Sequence, residues 1–281
     1  MARKRVTLTD LLNENTYRVI FNQFKLLCMN EYKWTGDLPD GLESRHIERL
    51  LFEKGMACFF RAPGMDFMCL ECAPNGRMNV NYDPTGYRAF GFGYQTDVSA
   101  DDCVIIRNNM LELATEPFII HFANKITEAE RTMDVNVKAC KTPVIFACDD
   151  NDVLSFKRIF QQVDGNVPAI FADRGLKLES VQAFLTGVKF MGNELMQYKG
   201  SIESDALTFI GKNNIPVDKK ERLITDEAQA NDQLIKSFSD LQLEARLQAC
   251  EDIKKKFGRI INVERVVENS VETEDNDNGI V

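Results

Sequence analysis

KTPVIFACDDNDVLSFKRIFQQVDGNVPAIFAD, residues 141–173, is the stretch on which the reading of the fold turns. An apolar run at 143–147 reads as a strand, the spacing over 154–163 predicts a helix, and 167–172 reads as a second strand. Asp149-Asp150-Asn151-Asp152 and Asp164-Gly165-Asn166 form the joints, so the stretch is a small β-α-β-like unit. A long helix stands on either side of it. Thr115-Glu116-Pro117 opens the first, because Thr can cap, Glu suits the positive end of the dipole and Pro is tolerated in the first turn. It runs to about Lys138, and its second half is thin in apolar residues (Ile126, Ala129, Met133). One side of it is therefore expected to face solvent or a neighbouring subunit. The second, about Phe190 to Ile210, stops at Gly211 with Lys212-Asn213-Asn214 behind it.

Further out, Tyr17, Ile20, Phe21, Phe24, Leu27, Cys28 and Tyr32 make one apolar stripe and predict a helix over 16–32. A shorter helix is expected at 44–54, buried through Ile47, Leu50 and Leu51 and stopped by Gly55. From Met56 to Ile106, apolar runs alternate with Pro63-Gly64, Pro74-Asn75-Gly76, Asp83-Pro84, Gly91 and Gly93, the texture of antiparallel hairpins. Residues 212–235 are polar and without clear period. Phe238, Leu241, Ala245, Ala249, Ile253 and Phe257 then stripe a last helix that ends at Gly258. The whole is a mixed α/β (α+β) chain, mainly helical, with no internal repeat.

The chain has 281 residues, 44% hydrophobic and 27% charged, which is globular composition. No stretch approaches the ~18 apolar residues of a membrane span. MARKRVTLTD has no apolar segment behind its basic start, so export is not expected, and the eight cysteines (28, 58, 69, 72, 103, 140, 148, 250) read as reduced thiols. The net charge of −9 excludes an ordinary duplex-DNA binder, which gains affinity from a basic patch. Charge is uneven, however. Arg3, Lys4 and Arg5 form a basic tip, and residues 266–281 form an acidic tail.

Motifs of catalysis are missing. Cys69-x-x-Cys72 has no second ligand pair for zinc, and in a strand residues i and i+3 point to opposite faces. The Asp149–Asp152 cluster lacks the glycine and the twelfth-position Glu of a calcium loop, and an acidic turn explains it more simply. Gly91-Phe92-Gly93 lacks the context of a dinucleotide loop, there is no P-loop and no nucleophile elbow. Two histidines leave little acid–base capacity near neutral pH. No catalytic residue, metal or cofactor is expected, and the chain is not read as an enzyme.

The stretch 141–173, then FIGKNNIPVDKKERLITDEAQAND (209–232) and RLQACEDIKKKFG (246–258), resembles the portal protein of small podophages of the Picovirinae type, also called the upper collar or head–tail connector. The opening MARKR and Tyr32-Lys33-Trp34 with Leu38-Pro39 resemble it too. The resemblance implies a portal fold with long stem helices, a β-rich wing and a small α/β clip. Twelve copies would form a ring at one capsid vertex, in the virion, after assembly in the host cytoplasm. It implies a basic arm (1–15), stem helices (16–34, 115–139, 190–211), wing (35–114), clip (140–189), channel loop (212–235), a wing/crown helical region (236–265) and an acidic flexible tail (266–281). The implied partners are further copies of the chain, double-stranded DNA in the channel, capsid and scaffold proteins, a packaging ATPase with a packaging RNA, and lower collar or tail proteins. No membrane is among them. Lys219, Lys220 and Arg222 become candidates for DNA contact, Glu194, Glu203 and Asp205 for an acidic channel lining, and Arg3, Lys4 and Arg5 for motor or packaging-RNA contact. A ring of twelve such chains is strongly negative, which suits a conduit that must not retain phosphates. Two other readings stay open: a metal-dependent nucleic-acid enzyme using the Asp149–Asp152 cluster, and a monomeric scaffold or adaptor protein.

Overall fold

The computed structural model describes residues 8–141, 144–147, 182–185, 188–212 and 225–266. They form α1 (Leu8–Met29), β1 (Tyr32–Gly36), α2 (Ser44–Lys54), β2 (Met56–Arg61), β3 (Phe67–Met78), β4 (Pro84–Gly91), β5 (Tyr94–Ser99), a 3-10 turn (Ala100–Asp102), β6 (Cys103–Arg107), α3 (Glu116–Lys141), β7 (Val144–Ala147), β8 (Gln182–Leu185), α4 (Gly192–Phe209), α5 (Thr225–Phe257) and β9 (Ile261–Arg265). About half of the described residues are helical, and the fold is mixed α/β. The chain divides into two units, 1–127 with 200–281, and 128–199.

In the first unit a five-stranded antiparallel sheet has the order β5-β4-β3-β2-β6. Alternation along β2 sends Ala57 and Phe59 to one face and Cys58 and Phe60 to the other, and both faces are buried. The first face packs with Ile47 and Leu51 of α2 and Ala249 and Ile253 of α5, together with Tyr32 and Trp34 of β1 and Ile261 and Val263 of β9. The second gathers Cys58, Phe60, Cys72, Tyr87, Ala89, Cys103 and Ile105. A separate helical core joins Ile20 and Phe24 of α1, Phe52 of α2, Ile119, Ala123 and Ile126 of α3, and Ile202 and Ala206 of α4 with Ile210 beyond its end.

The helix predicted at 44–54 is observed there. Gly55 stops it with φ +83°, and its N–H donates to Leu51 O at 3.0 Å. Any side chain would also be blocked, since a Cβ at Gly55 would lie 2.0 Å from Glu112 O.

Three boundaries differ from the sequence reading. The stem helix expected over 16–34 begins at Leu8, inside the expected arm, and ends at Met29. Tyr32 and Trp34, which fit its apolar stripe, instead pair with Arg265 and Val263 across β1 and β9. The expected channel loop over 212–235 is helical from Thr225, because α5 is 33 residues long. Ile235 and Ser239 already lie on its buried side, and no proline or glycine interrupts it. The expected helical region 236–265 ends as a strand, β9, after Gly258 turns the chain with φ +70°.

The second unit carries a two-stranded antiparallel sheet in which β7 pairs with β8, Val144 opposite Leu185 and Ala147 opposite Gln182. The strand expected from residue 143 is present, and its partner is at 182–185, a stretch left unassigned above. Lys199 Nζ meets Glu130 Oε1 at 2.7 Å. Asn136 donates from Nδ2 to Lys189 O at 2.8 Å and accepts from Met191 N–H at 3.0 Å. The expected helix 154–163, the expected strand 167–172 and both chain ends lie outside the described residues.

Candidate functional site

The most elaborate polar arrangement of the first unit is buried where α2, α5, β1 and the loop after β6 converge. Glu48 is 3% exposed and Arg246 is 2% exposed. Arg246 Nε donates to Glu48 Oε1 at 2.9 Å and Nη2 to Oε2 at 2.8 Å, a bidentate pair. Nη1 donates to Asn108 O at 3.2 Å and Gln242 O at 3.0 Å, and Nη2 also to Asn108 Oδ1 at 3.1 Å. All five guanidinium N–H groups thus have acceptors. The guanidinium lies 4.2 Å from the Tyr32 ring centroid, and Trp34 Nε1 donates to Glu48 Oε1 at 2.7 Å. Burial works against the Arg246 charge, yet Glu48 outweighs it and holds the guanidinium above its ordinary pKa.

A second buried carboxylate lies beside the first. Arg265 Nε donates to Glu31 Oε1 at 2.6 Å, Lys212 Nζ pairs with Oε2 at 2.7 Å, and Arg265 Nη2 donates to Gly211 O. Cys28 borders the same small cavity, where burial and then the charges of Glu31 and Glu48 push its thiol up to about 12. Chemically this pair of networks ties charges to one another across elements of the fold. It anchors α5 to α2, and the end of α1 to β9 and the chain after α4. The sequence analysis singled out none of these charges. The signal that could have found them is Glu48 and Arg246 each falling within an apolar stripe.

Of the residues singled out from the sequence, Glu194, Glu203 and Asp205 lie on α4. Glu194 and Asp205 are exposed, while Glu203 is half-buried. Lys219, Lys220, Arg222, the Asp149–Asp152 cluster and Arg3, Lys4 and Arg5 lie outside the described residues. Cys69 and Cys72 do part company as a strand requires: Cys69 packs with α2 and α5, and Cys72 packs on the opposite face. There it joins Cys58 and Cys103, three thiols on adjacent strands that the sequence spacing does not reveal. Hydrogen bonds to Cys103 and Cys72 hold the Cys58 proton firmly, and the bond from Cys58 draws the Cys103 thiol downward. Among the described residues no group of three or more His, Cys, Asp or Glu side chains is arranged to hold a metal ion.

The first unit also presents apolar side chains outward. Met110, Leu111 and Leu113 follow β6 and stand exposed beside Phe118, Phe209, Phe238 and Leu241, around an open groove of about 220 Å³. Val80 and Tyr82 at the β3–β4 turn, Phe92 at the β4–β5 turn, and Val19 and Leu26 on α1 are exposed as well. Of these, the side chains around the groove are contiguous, the arrangement that distinguishes a contact surface from scattered exposed residues.

The model of the phage connector (GP10) family matches residues 3–269. The chain belongs to that family. Among solved structures, this connector is similar to a chain of the portal and tail of native bacteriophage P68, with 14% identity, a TM-score of 0.50, and coverage of 96% of this chain and 94% of that one. It is also similar to an HK97-family phage portal protein from Corynebacterium diphtheriae, with 10% identity, a TM-score of 0.45, and coverage of 94% and 96%. The likeness to the P68 chain concerns the fold, which the connector shares over nearly its whole length. The connector family is a structural one, not a family of enzymes.

Proposed function

We propose that this connector is the portal subunit of a small podophage of the Picovirinae type. Twelve copies form the ring at one capsid vertex of the virion, through which DNA is packaged and later ejected. The observation that carries the reading is the family match across residues 3–269. The exposed apolar side chains of α1 and of the loop after β6 support it, since a ring covers on each subunit what a monomer leaves bare.

In this reading the helices α1, α3 and α4 supply the stem, the five-stranded sheet with α2 belongs to the wing, and residues 140–189 form the clip that meets the packaging ATPase and later the tail. The C-terminal part of α5 and β9 complete the wing and crown end, beside capsid and scaffold proteins. Residues 213–224, with Lys219, Lys220 and Arg222, reach into the channel and touch passing phosphates. Glu194, Glu203 and Asp205 contribute to a lining that repels DNA, so that retained contacts do not slow its sliding. Arg3, Lys4 and Arg5 meet the motor, with its packaging RNA where the phage has one. No catalytic role is assigned to the chain.

The test is co-expression of the tagged connector with the capsid and scaffold proteins of its phage, followed by imaging of the tag. One labelled vertex per shell supports the proposal. Label absent from shells, or spread over all vertices, overturns it.

A further inference from the structure

Two exposed loops of the first unit are built to the same plan, and each carries strongly exposed apolar side chains. In the loop after β6, Asn109 Oδ1 accepts from Leu111 N–H at 3.0 Å and Leu113 N–H at 3.1 Å, and Glu112 has φ +58°. In the β3–β4 turn, Asn79 Oδ1 accepts from Asn81 N–H at 2.8 Å and Asp83 N–H at 2.9 Å, and Tyr82 has φ +66°. The turn is further closed by Asn79 N–H to Asp83 O at 2.8 Å and Tyr82 N–H to Asn79 O at 3.1 Å. Tyr82 and Glu112 are the two non-glycine residues with positive φ among the described residues.

The conformation is unfavourable for Tyr82. Hairpin loops of this length place a residue in the left-handed region, where Gly or Asn is at ease and a bulky aromatic is an outlier. Within its own chain the ring gains nothing for that strain, because Tyr82 is 86% exposed and Val80 is 94% exposed. Strain that the fold does not use points to a function for the outlier. The turn is an apolar knob, ordered before anything binds it.

The other loop builds a receptor. Met110 is 82% exposed and Leu111 is 77% exposed, and they border the 220 Å³ groove with Phe118, Phe209, Phe238 and Leu241. The sheet order sets knob and groove on either side of β2, both at the end of the sheet where β2 begins. β6, which leads into the groove loop, is an edge strand, and the knob is carried by β3 and β4 on the other side of β2. Residues 67–70 of β3 pair with β2 and residues 71–78 with β4, so the hairpin end projects beyond β2. Two unlike patches, a protruding turn and a recessed groove on either side of β2, suit a heterologous contact of the kind that closes rings.

We propose that the β3–β4 turn of one copy, led by Val80 and Tyr82, seats in the groove formed by Met110, Leu111, Leu113, Phe118, Phe209, Phe238 and Leu241 of the next copy. The inference rests on the ring assembly proposed above and names the surfaces that close it. Tyr82 then acts as a buried aromatic anchor, the residue type that carries most of the energy in such contacts.

The first test is the variant with Tyr82→Cys and Leu111→Cys, assembled into rings and treated with a short bifunctional maleimide, with each single variant as control. A ladder of dimers and higher species on a denaturing gel supports the proposal. Rings that form and give no ladder, or a cross-link confined to the monomer band, overturn it and leave the portal reading intact. Failure of the unmodified chain to form any ring would instead remove the reading on which the inference rests. Protection of the groove seen only in whole capsid shells, and not in isolated rings, would give that surface to capsid protein and also overturn it. The second test is Tyr82→Gly, which relieves the left-handed strain. The subunit is expected to fold as stably as before while ring assembly weakens by on the order of thirtyfold in protein concentration. Unchanged assembly of Tyr82→Gly counts against the knob.

Discussion

Removing either side of the Glu48–Arg246 pair should destabilise the connector strongly, and removing both should cost less than the two losses added together. Glu48→Leu leaves the guanidinium with three of its five hydrogen bonds, all to neutral acceptors, and no counter-charge at 2% exposure. Arg246→Met leaves a buried carboxylate whose remaining donor is Trp34 Nε1 at 2.7 Å. Stranding a buried charge in this way costs about 3–5 kcal/mol. The double variant strands no charge. It leaves Trp34 Nε1 and the acceptors on Asn108 and Gln242 short of partners, at about 1–3 kcal/mol for each group that water cannot reach. The two changes should therefore couple, by on the order of 2 kcal/mol. At 2–4 °C per kcal/mol, each single variant loses roughly 6–20 °C of Tm. Trp34 is the only tryptophan of the chain, so its fluorescence during urea titration reads the network directly. Protein concentration must be held fixed, since assembly stabilises the folded chain. Single variants within about 1 kcal/mol of the parent, or a double variant as weak as the sum of the singles, would refute the reasoning.

Burial pushes Cys28 and Cys69 up to about 12 and Cys250 up to about 11, against 9.0 for a free thiol, so their contribution to stability is complete below pH 9 and is lost as pH rises towards 12. Urea midpoints should be level from pH 7 to 9 and fall above it; a midpoint already falling between pH 7 and 8 contradicts this. Gly55→Ala forces a left-handed alanine whose Cβ meets Glu112 O, and should destabilise by at least about 1–3 kcal/mol, whereas Gly41→Ala, at φ +79° with open space around it, bears only the strain. Equal melting temperatures for these two variants would show that the close approach of Glu112 does not matter. Replacing Lys219, Lys220 and Arg222 by Ala should leave ring assembly intact and reduce DNA retention in filled heads. Unchanged packaging and retention would remove these residues from the mechanism.

What the sequence disclosed and what it concealed divide along the range of the interaction involved. Ser44–Lys54 was readable because its apolar stripe and the glycine that stops it lie within twelve residues. The hairpins between Met56 and Arg107 were readable for the same reason, since turns announce themselves locally. Tyr32 and Trp34 misled because their apolar spacing continues that of α1, while the strand they join is formed by Ile261–Arg265, more than two hundred residues away. Thr225–Ile235 read as loop because it is polar and without clear period; its helicity comes from continuity with the packed part of α5. At the candidate site, Arg246 gave no local sign of its partner at position 48, 198 residues away in the chain. The identity of the family was legible all the same, because it rests on the whole stretch rather than on any one contact.

The mass of the purified connector under native conditions tests the central claim most directly, with negative-stain images of the same sample. The account predicts a species near 384 kDa, about twelve times the 32.0 kDa chain, seen as rings with a central hole. A chain that stays at 32.0 kDa at high concentration would contradict it.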